Sequence, residues 1–91
     1  MYAKRVDNNQ VEIVACLRKL GATVVDLSKC GKGIPDLMIG YNGATVLIEI
    51  KSGSKAKFTS VQIDFMKKWN GGLIFRVETI DDCINIINDL R

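Results

Sequence analysis

Asp36, Glu49 and Lys51 are the residues of this chain whose types and spacing point most directly to chemistry. Asn42-Gly43 lies between two apolar, strand-like runs, 35–41 and 44–51, and is the strongest short-range signal for a two-residue hairpin turn. Across such a turn Tyr41 faces Ala44, and each step back along one strand matches a step forward along the other, which carries Asp36 opposite Glu49. Directly opposed residues of an antiparallel pair hold their Cβ atoms about 4.5–5.5 Å apart, and like charges placed there repel. Period-two alternation puts Leu37, Ile39, Tyr41, Val46, Ile48 and Ile50 on one apolar face, and Asp36, Glu49 and Lys51 on the other. Two carboxylates held that close share a proton, are neutralised by a cation or lie in water. Lys51 offsets part of their charge. A hard divalent cation such as magnesium takes oxygen ligands from one or two carboxylates, which is a physical reason for building the pair; a solvated strand end is the alternative.

The elements that must position this hairpin follow from pattern and punctuation. Asp7, Asn8 and Asn9 offer N-caps ahead of Val11, Val14, Ala15, Leu17 and Leu20, and Gly21 stops an amphipathic helix spanning about 9–20. The β-branched run 23–27 predicts a strand, and 28–33 a polar, glycine-rich loop carrying Lys29 and Lys32. After the hairpin, 52–57 reads as a flexible basic loop with Lys55 and Lys57. Thr59 then opens a helix with Val61, Phe65, Met66 and Trp69 on one face, ended by Gly71-Gly72. A strand is predicted over 73–78, and Thr79 with Asp81 and Asp82 launches a last helix burying Ile80, Ile84, Ile87 and Leu90. The order αβββαβα predicts an α/β domain over 1–91, a mixed four-stranded sheet flanked by helices.

Composition narrows the classes. The 91 residues, 47% hydrophobic and 25% charged, fit one small globular domain. No apolar stretch approaches the roughly 18 residues of a membrane span, and the start of the chain is too polar for a secretory signal. The net charge of +3 permits an anionic partner without demanding one. The chain has no histidine, so chemistry falls to carboxylates, lysine, hydroxyls or thiols. Cys16, Cys30 and Cys83 form neither a disulfide framework nor a zinc ribbon, which suits a reducing interior. Cys16 and Cys83 fall at core positions, and Cys30 in a loop.

Gly33-Ile34-Pro35-Asp36-Leu37, then Ile48-Glu49-Ile50-Lys51, then Thr59-Ser60-Val61-Gln62, resembles the VRR-NUC branch of the PD-(D/E)XK nucleases. Asn9-Gln10-Val11-Glu12-Ile13 and Gly21-Ala22 look like the same branch, so the resemblance runs from about residue 5 to residue 88, with the motifs in order. The match is to stand-alone minimal members of phage and bacterial genomes. It implies the restriction-endonuclease-like core, a cytoplasmic home in a bacterium or phage-infected cell, and no small organic cofactor.

Carried over residue by residue, the resemblance makes Asp36 and Glu49 ligands of a catalytic Mg²⁺ or Mn²⁺, with the Ile50 carbonyl beside them and Glu12 as a further ligand, direct or through water. Glu12 also reads as an ordinary solvated helix glutamate. Lys51 matches the motif lysine that positions the attacking water and stabilises charge on the phosphate; without the motif it reads as a snorkelling surface lysine. Gln62 matches a glutamine that points at the site, yet Thr59-x-x-Gln62 also has the form of a capping box. The implied reaction is phosphodiester hydrolysis in DNA, with Lys29, Lys32, Lys55 and Lys57 contacting neighbouring phosphates. The similarity to archaeal Holliday-junction resolvases implies a homodimer acting on branched DNA. The alternative is a nucleic-acid-binding or assembly module that keeps the fold without turnover. Trp69, Phe58 and Tyr2 read either as core or as an exposed apolar patch.

Overall fold

The computed structural model describes residues 9–91. Tyr2, Asp7 and Asn8 lie outside the described residues. The elements are α1 (Gln10–Lys19), β1 (Thr23–Asp26), β2 (Leu37–Tyr41), β3 (Ala44–Ile50), α2 (Ser60–Lys68), β4 (Ile74–Val77) and α3 (Ile80–Leu90), the order the pattern predicts. They build a four-stranded mixed sheet ordered β1-β2-β3-β4, antiparallel across the first two pairings and parallel between β3 and β4. Parallel neighbours need a crossover, and α2 supplies it. No described helix is long and apolar enough to cross a membrane.

The hairpin register is the predicted one, running from Tyr41 opposite Ala44 to Leu37 opposite Ile48. Asn42 and Gly43 both take positive φ, 51° and 81°, as a type I′ turn requires. Asn42 Nδ2 also donates to the Leu90 carbonyl at 2.9 Å, fastening the hairpin tip to the end of α3.

The core lies on one face of the sheet. Leu37, Ile39, Val46, Ile48, Ile50 and Val77 are buried there against Ile13 and Leu17 of α1 and Cys83, Ile86 and Ile87 of α3. Burial pushes the Cys83 thiol up to about 12, which keeps it an inert core group. Cys16 is half-buried and Cys30 exposed.

Two helix faces differ from expectation. Ile84 is 38% exposed, and the buried residues of α3 are Cys83, Ile86 and Ile87. At about 100° per residue, Ile80, Cys83, Ile86, Ile87 and Leu90 form the inward stripe, and Ile84 falls off its edge. In α2 the Val61, Phe65, Met66 and Trp69 face packs only in part: the helix has no buried residue, and Val61 is 53% exposed. The apolar core is completed by α1 and α3, so α2 is left beside the polar face of the hairpin.

At α1 the expected side-chain cap is absent, since Asn9 makes no capping bond. Its amide instead donates to the main-chain carbonyls of Lys51, at 3.3 Å, and Glu78, at 2.9 Å, tying the start of α1 to the ends of β3 and β4.

Candidate functional site

Strand alternation decides where the acidic side chains go. Leu37 points into the core, so Asp36, one residue earlier, points to the opposite face, and Glu49, between buried Ile48 and Ile50, does the same. The Asp36 carbonyl accepts from Leu27 N–H at 2.7 Å, which continues the β1–β2 pairing one step and fixes the Asp36 backbone. Its carboxylate Oδ2 accepts from Ile50 N–H at 2.9 Å. The side chain of Asp36 is thereby anchored to the strand that bears Glu49. Ile50 enters the site through this N–H.

Glu49 is a buried acid, 6% exposed. Removal from water pushes its carboxyl up to about 7, and the negative charge of Asp36 adds to the rise, while Lys51 and Gln62 oppose it. Lys51 Nζ lies 3.5 Å from Glu49 Oε2, and Gln62 Nε2 donates to the same oxygen at 2.8 Å. Lys51 Nζ in turn donates to Gln62 Oε1 at 2.9 Å, closing a ring of three side chains.

Gln62 makes both sets of contacts that the sequence set against each other, capping α2 and reaching Lys51 and Glu49. The capping box is present: Thr59 Oγ1 accepts from Gln62 N–H at 3.2 Å, and Gln62 Oε1 accepts from Thr59 N–H at 2.9 Å. A single amide oxygen serves the helix start and the lysine, leaving the amide nitrogen for Glu49. The cap fixes the first turn of α2, and that turn fixes the ring.

Gly33 sets the distance between α2 and the loop leading to Asp36. It holds φ +76°, and a Cβ there would run into the Val61 carbonyl. Asp36, Glu49, Lys51 and Gln62 line one open cavity of about 390 Å³, with Lys32 on the glycine-rich loop at its rim. Convergence of the two carboxylates, Lys51 and Gln62 on one cavity is therefore a feature of the folded chain. Such a cavity can hold a cation against the acids and an anion against the lysines.

Other expected residues are placed elsewhere. Glu12 is exposed in the first turn of α1 and does not line this cavity. Among the described residues no group of three or more acidic or thiol side chains is arranged to hold a metal, so the site gathers two carboxylates. Lys29 is exposed and lines a separate hollow with Gln10 and Arg18. Lys55 and Lys57 are exposed in the loop between β3 and α2, outside the cavity lining. Of the four loop lysines, Lys32 alone lines the acidic cavity.

Three contributors escaped the sequence reading. Phe58 is half-buried, with Lys51 Nζ and the Arg76 guanidinium each 5.5 Å from its ring centroid. Arg76 sits opposite Glu49 in the β3–β4 register, donates to Glu78 at 2.9 Å and to the Gly53 carbonyl at 2.8 Å, and so pins the loop after Lys51. Asn9 holds the Lys51 carbonyl. The lone aromatic after a basic run hints at Phe58, but the other two depend on contacts between elements distant in the chain. No family model, curated protein or solved structure matches this chain.

Proposed function

We propose that this chain is a metal-dependent endonuclease of the VRR-NUC branch of the PD-(D/E)XK superfamily, hydrolysing phosphodiester bonds in branched DNA. The observation that carries the reading is the convergence of Asp36, Glu49 and a pinned Lys51 on one open cavity. The αβββαβα order around a mixed sheet is what the PD-(D/E)XK core requires, and it supports the finer assignment.

Asp36 and Glu49 fit Mg²⁺ or Mn²⁺: both offer hard oxygen donors, and the burial and the Asp36 charge that raise Glu49 would be offset by a divalent cation. When bound, the ion supplies Lewis-acid polarisation of a phosphoryl oxygen and lowers the pKa of a water. The chain's own groups do the rest. As a ligand Glu49 would release its proton to solvent, and the Ile50 N–H keeps the Asp36 carboxylate in place. Lys51 stands with its ammonium held by Gln62 and Glu49, where it can stabilise charge developing on the phosphate. Lys32 contributes affinity that is independent of sequence and weakened by salt. A homodimer would present two such sites to opposed strands of a junction.

The test is incubation with a labelled four-way junction, linear duplex, flap and single strand, in Mg²⁺, Mn²⁺ or EDTA. Metal-dependent cuts that disappear in Asp36→Asn and Lys51→Ala support the enzyme. Binding without cutting in either metal transfers the fold to the alternative, a module without turnover. No cleavage and no binding at low salt ends the nucleic-acid reading.

A further inference from the structure

We propose that a second cavity, beside the acidic one, is a subsite for an unpaired nucleobase stacked against Phe65 and Trp69; this rests on the nuclease reading and names the part of the substrate held next to the scissile phosphate. The cavity, about 260 Å³, is lined by Lys32, Val61, Asp64, Phe65, Lys68 and Trp69. Lys32 and Val61 line the acidic cavity as well, so the two hollows are adjacent and one strand can reach both.

The aromatic pair is built as a fixed platform. The rings of Phe65 and Trp69 stack with centroids 5.5 Å apart and planes inclined by 22°. The indole N–H is already satisfied by the Gly72 carbonyl at 2.6 Å, and Gly71 has no Cβ where one would strike the six-membered ring. With its polar edge used and its orientation fixed, Trp69 offers apolar surface that loses little conformational freedom when a flat ring joins the stack. Trp69 remains 41% exposed, and α2 buries no residue against the sheet, so these rings are not consumed by the core.

Charge selects the occupant. Lys32 and Lys68 stand on the cavity wall, Lys68 held by Asp64 at 3.0 Å, which matches a base carried on a phosphate backbone better than an apolar peptide. A base paired within a duplex keeps its faces in its own stack and cannot use this platform. The subsite therefore favours single strands, flaps and branch points, where a nucleotide is free to turn out.

Trp69 is the only tryptophan of the chain, so its emission reports the subsite directly. The protein is titrated in EDTA at low salt with a short oligothymidylate and with an abasic oligomer of equal length and charge. The expected result is quenching by the thymidylate and none by the abasic strand. Read by fluorescence anisotropy of dye-labelled strands, Trp69→Leu is expected to lower thymidylate affinity about tenfold and leave abasic affinity within about twofold, and Trp69→Phe to recover most of the loss. Circular dichroism and Tm confirm that both variants are folded. Equal quenching by the two strands, unchanged thymidylate affinity in folded Trp69→Leu, absence of thymidylate binding, or equal quenching by a polyglutamate peptide would each overturn the subsite. The two readings fail separately: no cleavage with Mg²⁺ or Mn²⁺ sinks the nuclease while the quenching difference stands, and metal-dependent cleavage without that difference sinks only the subsite.

Discussion

The two faces of the sheet are put to opposite uses. On the face covered by α1 and α3, every central side chain is apolar and buried, from Leu37 and Ile48 to Cys83 and Ile87. On the other, the same hairpin presents Asp36, Glu49 and Lys51 beside the start of α2, a helix none of whose own residues is fully buried. The contrast teaches that hydrophobic burial on one side holds the hairpin rigid enough to keep two acids together on the other, where they repel. Stability and chemistry occupy alternate residues of the same strands.

Four sets of measurements test this division of the two faces. The largest effect is expected on the polar face and only in turnover: Asp36→Asn, which keeps an acceptor for the Ile50 N–H, is expected to lower junction cleavage about a thousandfold or more while leaving Tm nearly unchanged. On the apolar face the loss moves to stability. Ile48→Ala removes a fully buried side chain, and urea denaturation is expected to show a loss of about 2–5 kcal/mol, whereas Val61→Ala on exposed α2 stays below about 1 kcal/mol.

Smaller effects separate capping from catalysis. Thr59→Ala removes the N-cap acceptor and is expected to lower stability by about 1 kcal/mol with little change in rate. Gln62→Ala removes the ring that holds Lys51 to Glu49 and is expected to lower the rate about 10- to 100-fold, read in single-turnover cleavage. Similar rates in the two variants would mean that Gln62 serves the helix alone.

The smallest effect is a pH trend in the metal-free protein. The Glu49 carboxyl, ordinarily near 4.5, is raised to about 7 in the fold, so the folded state binds its proton more tightly than the unfolded chain. Its contribution is fully favourable below about 4.5, and is lost as pH rises through 7. Tm is expected to fall by a few degrees across that window, and Glu49→Gln to abolish this part of the slope. A slope that survives in Glu49→Gln would assign it to other groups.

Much of this is legible in the order of the amino acids. The Asn42-Gly43 turn fixed the hairpin register through local backbone preference, and period-two alternation then placed Asp36 and Glu49 on the face away from Ile48. Thr59 and Thr79 announced helix starts, each confirmed by a capping box. Glu12 was less tractable, because a glutamate on an exposed helix face looks the same in sequence wherever that helix docks. Ile84 lies outside the inward stripe of α3, and four isoleucines in one helix do not say which of them faces the core.

What the sequence by itself determined is therefore local: a turn that can close in one register, caps that begin helices, and the alternation that sets acids apart from the core. Only the tertiary structure decided that Gln62 bridges Lys51 and Glu49, that Arg76 lies beside Phe58, and that Lys32 rather than Lys29, Lys55 or Lys57 lines the cavity. The physical reason is range. Backbone propensities and side-chain period act over a few residues, whereas these contacts join residues of different elements and loops, and their geometry is fixed by how the whole apolar face packs.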